Sequence, residues 1–268
     1  MTILSINPLY ALSGFLVGLL VGQTGMGGGA LMTPILVLLF GVHPATAVGT
    51  DLIYAAITKS VGTAVHHRSH TVEWRIVLLL AAGSVPATAL TLLAISHFDL
   101  TSRAASSVIS HVLGYMLLLT AAALLCRRWL LQWAGNVRLV AGAAQPGIAS
   151  PRTVRLTVVV GAMLGVLVTI SSVGAGAIGV TALLLLYPGL PMARIVGSDI
   201  AHAVPLTLVA GIGHWVLGGV NPGMLVSLLL GSIPGIMLGS WFAVRVADAV
   251  LRPILAVTLA LVGGTLVL

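Results

Sequence analysis

Two aspartates are the side chains best placed to do chemistry in this chain. Asp51 and Asp199 are two of only five acidic residues, and each lies inside an apolar segment. An aspartate at the centre of a spanning helix costs roughly 2.5–3.5 kcal/mol on insertion scales, so it marks a functional position by default. A fixed carboxylate repels an anion. If it is protonated when the anion binds, the repulsion vanishes and anion movement is coupled to a proton. The competing reading is that each carboxylate caps N–H groups at a neighbouring half-helix. Asp51 and Asp199 follow Pro44 and Pro191 by seven or eight residues, about two turns into a helix.

Three neighbours extend this set. His202 is three residues beyond Asp199 and shares its face, as a proton relay, an anion contact or a packing histidine. Thr50 and Ser198 adjoin the aspartates and can serve ligand or backbone. Lys59 is the only lysine, eight residues beyond Asp51. It is a secondary candidate for attracting an anion, but its position favours snorkelling to the nearby cytoplasmic edge.

The second signal is a pair of glycine-rich breaks. Gln23-Thr24-Gly25-Met26-Gly27-Gly28-Gly29 lies in the first half and Ser171-Ser172-Val173-Gly174-Ala175-Gly176 in the second. Glycines at membrane depth interrupt a helix and bare backbone N–H groups, which are tolerated only in protein or along a wet cavity. A helix starting there adds partial positive charge, which suits an anion. The hydroxyls of Thr24, Ser171 and Ser172 can add bonds to oxyanion oxygens. The candidate substrate-binding set is therefore Thr24, Gly25, Gly27, Gly28, Thr50, Ser171, Ser172, Gly174, Gly176 and Ser198, with Asp51, Asp199 and His202 for proton coupling. The plainer alternative is that the glycines permit close helix packing.

These residues must be positioned by membrane helices. Of 268 residues 59% are hydrophobic and 6% are charged, against about 25% charged in soluble domains. Mean hydropathy is +1.16. The net charge of +7 sits between apolar runs, which fits topology and anionic lipid rather than nucleic acid. A single cysteine, Cys126, excludes an intramolecular disulfide and a multi-cysteine metal site. The cluster His66-His67-Arg68-Ser69-His70 reads as a solvated loop, and no metal or other cofactor is expected. The N-terminus reads as the start of the first membrane segment rather than a removed signal.

Ten apolar segments are expected, at roughly 8–22, 28–41, 44–66, 74–96 and 104–125, then 154–170, 176–188, 192–216, 222–243 and 249–268. A basic stretch at 126–153 separates residues 8–125 from 154–268. Its front suits an amphipathic surface helix, and its back, with Gln145-Pro146-Gly147, a loop. A shift of 148 places Gly49-Thr50-Asp51 on Gly197-Ser198-Asp199, His66 on His214, Gly83-Ser84 on Gly231-Ser232 and Pro86 on Pro234. So many matches at one offset indicate internal duplication, a recurring transporter design. The basic loop after the third segment (His66 to Arg75), the linker, and the loops with Arg194, Arg245 and Arg252 are expected in the cytoplasm, and the uncharged loop at about 217–221 outside. Equivalent loops then face opposite sides, with Arg103 beside Asp99 the weak point. The expected fold is an all-α polytopic membrane protein of two inverted repeats. Each has a Gly-rich broken or re-entrant helix pair plus three spanning helices, with both termini outside.

The break Gly25-Met26-Gly27-Gly28-Gly29, the short run with Pro34, the following Pro44-Ala45-Thr46-Ala47-Val48-Gly49-Thr50 and their recurrence in the second half resemble the TauE/SafE family. The resemblance spans about 10–268 and is strongest over 14–90. It implies a bacterial inner-membrane protein that exports sulfite or organosulfonates such as sulfoacetate, driven by the proton gradient. The second Gly motif is less Gly-dense than the first, which sets the two loops apart.

The expectation is thus a secondary transporter exporting a small anion, with a proton, the lipid bilayer and no nucleic acid among its partners; a homodimer is compatible with the sequence. A passive anion channel is the first alternative and a divalent-cation transporter the second, disfavoured by few acids and many arginines. No Gly-x-Ser-x-Gly or nucleotide-binding motif is present, so no catalytic residue is assigned and an ATP-driven pump is disfavoured.

Overall fold

The computed structural model describes residues 7–24, 29–97, 102–140, 150–242 and 248–268. Among these residues the regular structure is helical: α1 (Pro8–Thr24), α2 (Gly29–Leu38), α3 (Pro44–Arg68), α4 (Trp74–Ser96), α5 (Arg103–Val140), α6 (Pro151–Ser171), α7 (Ala177–Leu186), α8 (Met192–Val216), α9 (Pro222–Phe242) and α10 (Asp248–Val267). Proline opens α1, α3, α6 and α9, where its fixed φ suits a first turn and its missing N–H costs nothing. At α6 the preceding Ser150 side chain also accepts from the Thr153 N–H.

The chain is an all-α polytopic membrane protein. Trp74–Ser96, Ala105–Cys126, Pro151–Ser171, Met192–Val216 and Pro222–Gly239 are each long and apolar enough to cross a membrane. Their outward faces are apolar, with Leu78, Leu90 and Leu93 of α4 and Val159 and Met163 of α6 exposed. In lipid such exposure carries no penalty. α2 and α7 have 10 residues each. At 1.5 Å per residue each reaches about 15 Å, half of a hydrocarbon core of about 30 Å. α3 is long yet less apolar, because Thr50, Asp51, Thr58 and Lys59 are all buried in its length.

One boundary differs from the sequence reading. The front of the basic stretch is no separate surface helix: α5 runs unbroken for 38 residues to Val140, about 57 Å. Ala, Leu, Arg and Trp continue the helix past Cys126 because nothing in 126–140 breaks it. Gln145-Pro146-Gly147, Asp99 and Arg245 lie outside the described residues.

The helices pair by close backbone approach at glycine. Gly14 and Gly18 of α1 rest on the backbones of Leu228 and Ser232 of α9, and Gly161 and Gly165 of α6 rest on Leu80 and Ser84 of α4. Gly231 of α9 meets Ala11 as Gly83 of α4 meets Val158. Each contact maps onto its partner at a shift of 147 or 148, so α1 lies parallel to α9 as α6 lies parallel to α4. The corresponding helices α3 and α8 cross at the centre. Gly49 meets His214, Ile53 meets Gly211 and Gly62 meets Ile200, so the partner number falls as the α3 number rises and the two run antiparallel.

A side chain at these glycines would overlap backbone, and overpacking costs about 1–3 kcal/mol or more. Gly231→Val should therefore lower the thermal midpoint of the purified protein by several degrees. Gly264→Ala, where a Cβ meets nothing within 4 Å, should not. Equal midpoints would show that the glycine contacts do not hold α1 on α9.

Candidate functional site

Where α3 and α8 cross, they bring ionisable groups from both halves into one dry cluster. Asp51 is 0% exposed, Asp199 1%, His202 0% and Lys59 6%. The Asp51 carboxylate accepts from the Thr33 hydroxyl of α2 at 2.5 Å. The Ser172 hydroxyl faces the same carboxylate without a hydrogen bond of normal geometry. Lys59 Nζ donates to the carbonyl of Ala175 at 2.8 Å, crossing from the first half to the loop between α6 and α7. Its charge acts on both Asp51 and Asp199 and on His202. Among the described residues the closed ion pair is Glu73 with Arg194, so Lys59 stands between two carboxylates without closing on either. One oxygen of Asp51, one of Asp199 and Nδ1 of His202 are buried with no hydrogen-bond partner among the described residues. Orphaned polar atoms are costly, and several at one place mark a site that a ligand or proton completes.

The loop that meets Lys59 follows from its sequence. Ser172 ends α6 in the left-handed region at φ 58°, and Gly174 follows at φ 117°. A Cβ at Gly174 would be strained and would also meet Met116. The Gly174 carbonyl then accepts from the N–H of Gly176 at 2.8 Å and of Gly179 at 3.3 Å. Ser171 Oγ donates to the Leu167 carbonyl and accepts from the Val173 N–H. This corrects the expectation of a bare N–H cradle: several donors of this loop are used within it, and what faces Lys59 is a carbonyl. Gly179 opens α7 onto the cluster, since a Cβ there would overlap Asp199 Oδ1.

Other candidates fall elsewhere. Gly25, Gly27 and Gly28 lie outside the described residues, and Thr24 ends α1. Thr50 Oγ1 accepts from the Asn221 N–H at 3.1 Å, and Ser198 Oγ accepts from the Glu73 N–H at 2.8 Å. These two bonds correspond at the shift of 148, and each satisfies an N–H at the start of a helix of the other half. The two hydroxyls thus tie the halves together. Lys59 is also corrected. It does not snorkel to an edge, because its ammonium has a carbonyl and two carboxylates near it inside the bundle. Sequence reasoning missed Thr33, Ser84 and Gly179. Ser84 appeared only as a repeat marker; its hydroxyl lies 2.9 Å from Nε2 of His202. Thr33 carries no signal of a partner 18 positions away.

A chemistry follows from this inventory. The ammonium can hold an anion, and the two carboxylates can take up protons as that charge arrives. His202 and Ser84 offer a hydrogen-bonded pair beside them.

Comparison with known proteins agrees with this architecture. The chain is 37% identical over 263 residues to the probable membrane transporter protein YjnA of Bacillus subtilis (strain 168), covering 94% of this chain and 96% of that protein. It is 27% identical over 252 residues to the probable membrane transporter protein YdhB of the same organism, covering 93% and 95%. A third, YunE, also named a probable membrane transporter protein, is 39% identical over 70 residues, 26% of each chain. No solved structure matches. The model of the sulfite exporter TauE/SafE family matches residues 10–266, and the chain belongs to that family of membrane transporters.

Proposed function

We propose that this protein exports a small anion of the sulfite or organosulfonate type by proton-coupled secondary transport, with the anion held at Lys59 between Asp51 and Asp199. The buried ammonium carries this reading. It bridges the two halves at the Ala175 carbonyl, and among the described residues it is the buried lysine or arginine, a ready partner for an anion. Ser172 adds a hydroxyl at the same place. The carboxylates must lose charge when an anion shares the ammonium, and this couples the anion to protons. The family match supports export of sulfite-like anions.

The proposed frame is two inverted repeats, residues 8–125 and 154–268, joined by a basic cytoplasmic stretch in a bacterial inner membrane. The antiparallel crossing of equivalent helices α3 and α8 supports the inversion. The Glu73–Arg194 pair, which joins the start of α4 to the first turn of α8, supports placing both on one side, and the basic residues from His66 to Arg75 favour the cytoplasmic side. Both termini then lie outside, and α1–α2 and α6–α7 enter from opposite faces and turn back near the midplane. Protons and lipid are its other partners in this reading, and no contact with a second copy is required.

Two outcomes are expected. An impermeant maleimide should label Cys126, and Ser69→Cys in a Cys126→Ser background, only in inside-out vesicles. It should label Val216→Cys only in intact cells. Labelling of all three from one face would contradict the inverted frame. Uptake of labelled sulfite into inside-out vesicles should follow an imposed pH gradient in the parent and lose that dependence in Asp51→Asn and Asp199→Asn. Uptake indifferent to the gradient in all three would instead indicate a channel with structural aspartates.

A further inference from the structure

The bond between His202 and Ser84 fixes where the imidazole carries its proton. Nε2 of His202 lies 2.9 Å from Ser84 Oγ of α4, and both residues are 0% exposed. Buried hydroxyls elsewhere in the bundle donate to the carbonyl one turn back, as Thr120 does to Met116, Thr169 to Gly165 and Thr207 to Ala203. Ser84 makes no such bond among the described residues, so Nε2 is the acceptor open to its O–H.

The direction of this bond follows from what each choice leaves unpaired. Suppose Nε2 carried the ring proton and donated it. The Ser84 O–H and the Nδ1 lone pair would then both be buried without partners. If Ser84 donates instead, the ring carries its proton on Nδ1, and that N–H alone is left over. Nδ1 is indeed buried without a partner among the described residues. Each buried polar group left unpaired is costly, so the second arrangement is the stable one.

Charge stands around this ring. The Lys59 ammonium acts on His202. Asp199, one turn back on α8, has an unpaired buried oxygen. An ammonium has three N–H donors, and the hydrogen bond of Lys59 among the described residues goes to the Ala175 carbonyl. Open donors from α3 and α8 therefore share one cluster. The duplication sharpens the point. At the shift of 148 His202 and Ser84 correspond to Tyr54 and Ser232, and Ser232 faces the Tyr54 hydroxyl. Each half thus keeps a hydrogen-bonding side chain three residues past its aspartate, opposite a serine. A phenol has one polar atom, which its serine faces. An imidazole has a second, left free for something else.

We propose that Ser84 holds His202 with its proton on Nδ1, and that this N–H donates to an oxygen of the anion bound at Lys59. The inference rests on the anion site proposed above, and adds to it a ligand from α8 and a positioning residue from α4. Ser84 acts only through the ring. The ring donates a hydrogen bond and keeps its proton. Different oxygens of one oxyanion then meet α3 and α8.

The test uses full-length protein in lipid nanodiscs at one pH, with the histidine ring nitrogens isotope-labelled for magnetic resonance. Their resonances distinguish a proton on Nδ1, on Nε2 or on both, and His202 is assigned by its loss in His202→Gln. The parent should show His202 protonated on Nδ1, and a saturating anion should move that resonance. The anion is labelled sulfite or labelled sulfoacetate, whichever the parent binds. Ser84→Ala should lose the single tautomer and bind the anion severalfold more weakly. His202→Gln, whose amide reaches Ser84 but leaves nothing at Nδ1, should bind it roughly tenfold more weakly. Thr91→Val, whose hydroxyl bonds its own helix at Ala87, should match the parent in tautomer and affinity. A parent ring protonated on Nε2, or on both nitrogens, would overturn the role of Ser84. Parent-like affinity in both Ser84→Ala and His202→Gln, with binding lost in Lys59→Met, would overturn the ligand role and leave the Lys59 site standing. Weakened binding in His202→Gln beside parent-like binding in Lys59→Met would do the reverse. A parent that binds neither anion would overturn both readings together.

Discussion

An ammonium buried inside a lipid-spanning bundle must be compensated by the groups packed around it. Removing a charge of that size from water costs several kcal/mol even after relaxation, and breaking one partner of such a set leaves another charge exposed to the same penalty. Lys59 imposes this constraint. It requires Asp51 and Asp199 within range, so α3 and α8 must cross at the centre. It requires a carbonyl at its tip, so the loop after α6 must turn Ala175 inward. That turn in turn needs the left-handed Ser172 and a glycine at 174. The approach of α7 needs Gly179, whose missing side chain leaves room for the Asp199 carboxylate.

The halves are alike in scaffold and unlike in chemistry. The glycine contacts of α1 on α9 repeat those of α6 on α4, and the Thr50–Asn221 bond repeats Ser198–Glu73. These shared features set backbone distances. The differences carry charge. Lys59 corresponds to Thr207, which bonds its own helix at Ala203, and Thr33 corresponds to Thr181, which bonds Ala177. Asp51 therefore has a hydroxyl donor in α2 that Asp199 lacks from α7.

Much of the frame was legible in the sequence because lipid enforces it. Apolar runs of bilayer length, prolines at helix starts and the matches at a shift of 148 are readable without coordinates, and the helices of the described residues begin and end within a few residues of the apolar segments except at α5. The cluster was legible in part. Aspartates in apolar segments stand out by cost alone. Lys59 did not, since a lysine at that depth is as consistent with an edge as with a centre; only the position of the partner loop decides. Thr50 and Ser198 look like ligand groups beside an aspartate, yet their hydroxyls face helix starts of the other half. Such contacts depend on how halves dock, which no local pattern encodes. The N–H groups of the second Gly loop likewise look open in the sequence, whereas a glycine at φ 117° lets the loop close on its own carbonyl.

The central claim is that Lys59 holds the anion. The most direct measurement is equilibrium binding of labelled sulfite, and of labelled sulfoacetate, to purified parent and to Lys59→Met at one pH, with both proteins monodisperse. The account predicts saturable binding of at least one of the two by the parent and its loss in Lys59→Met. Parent-like affinity in Lys59→Met, or no binding of either anion by the parent, would contradict it.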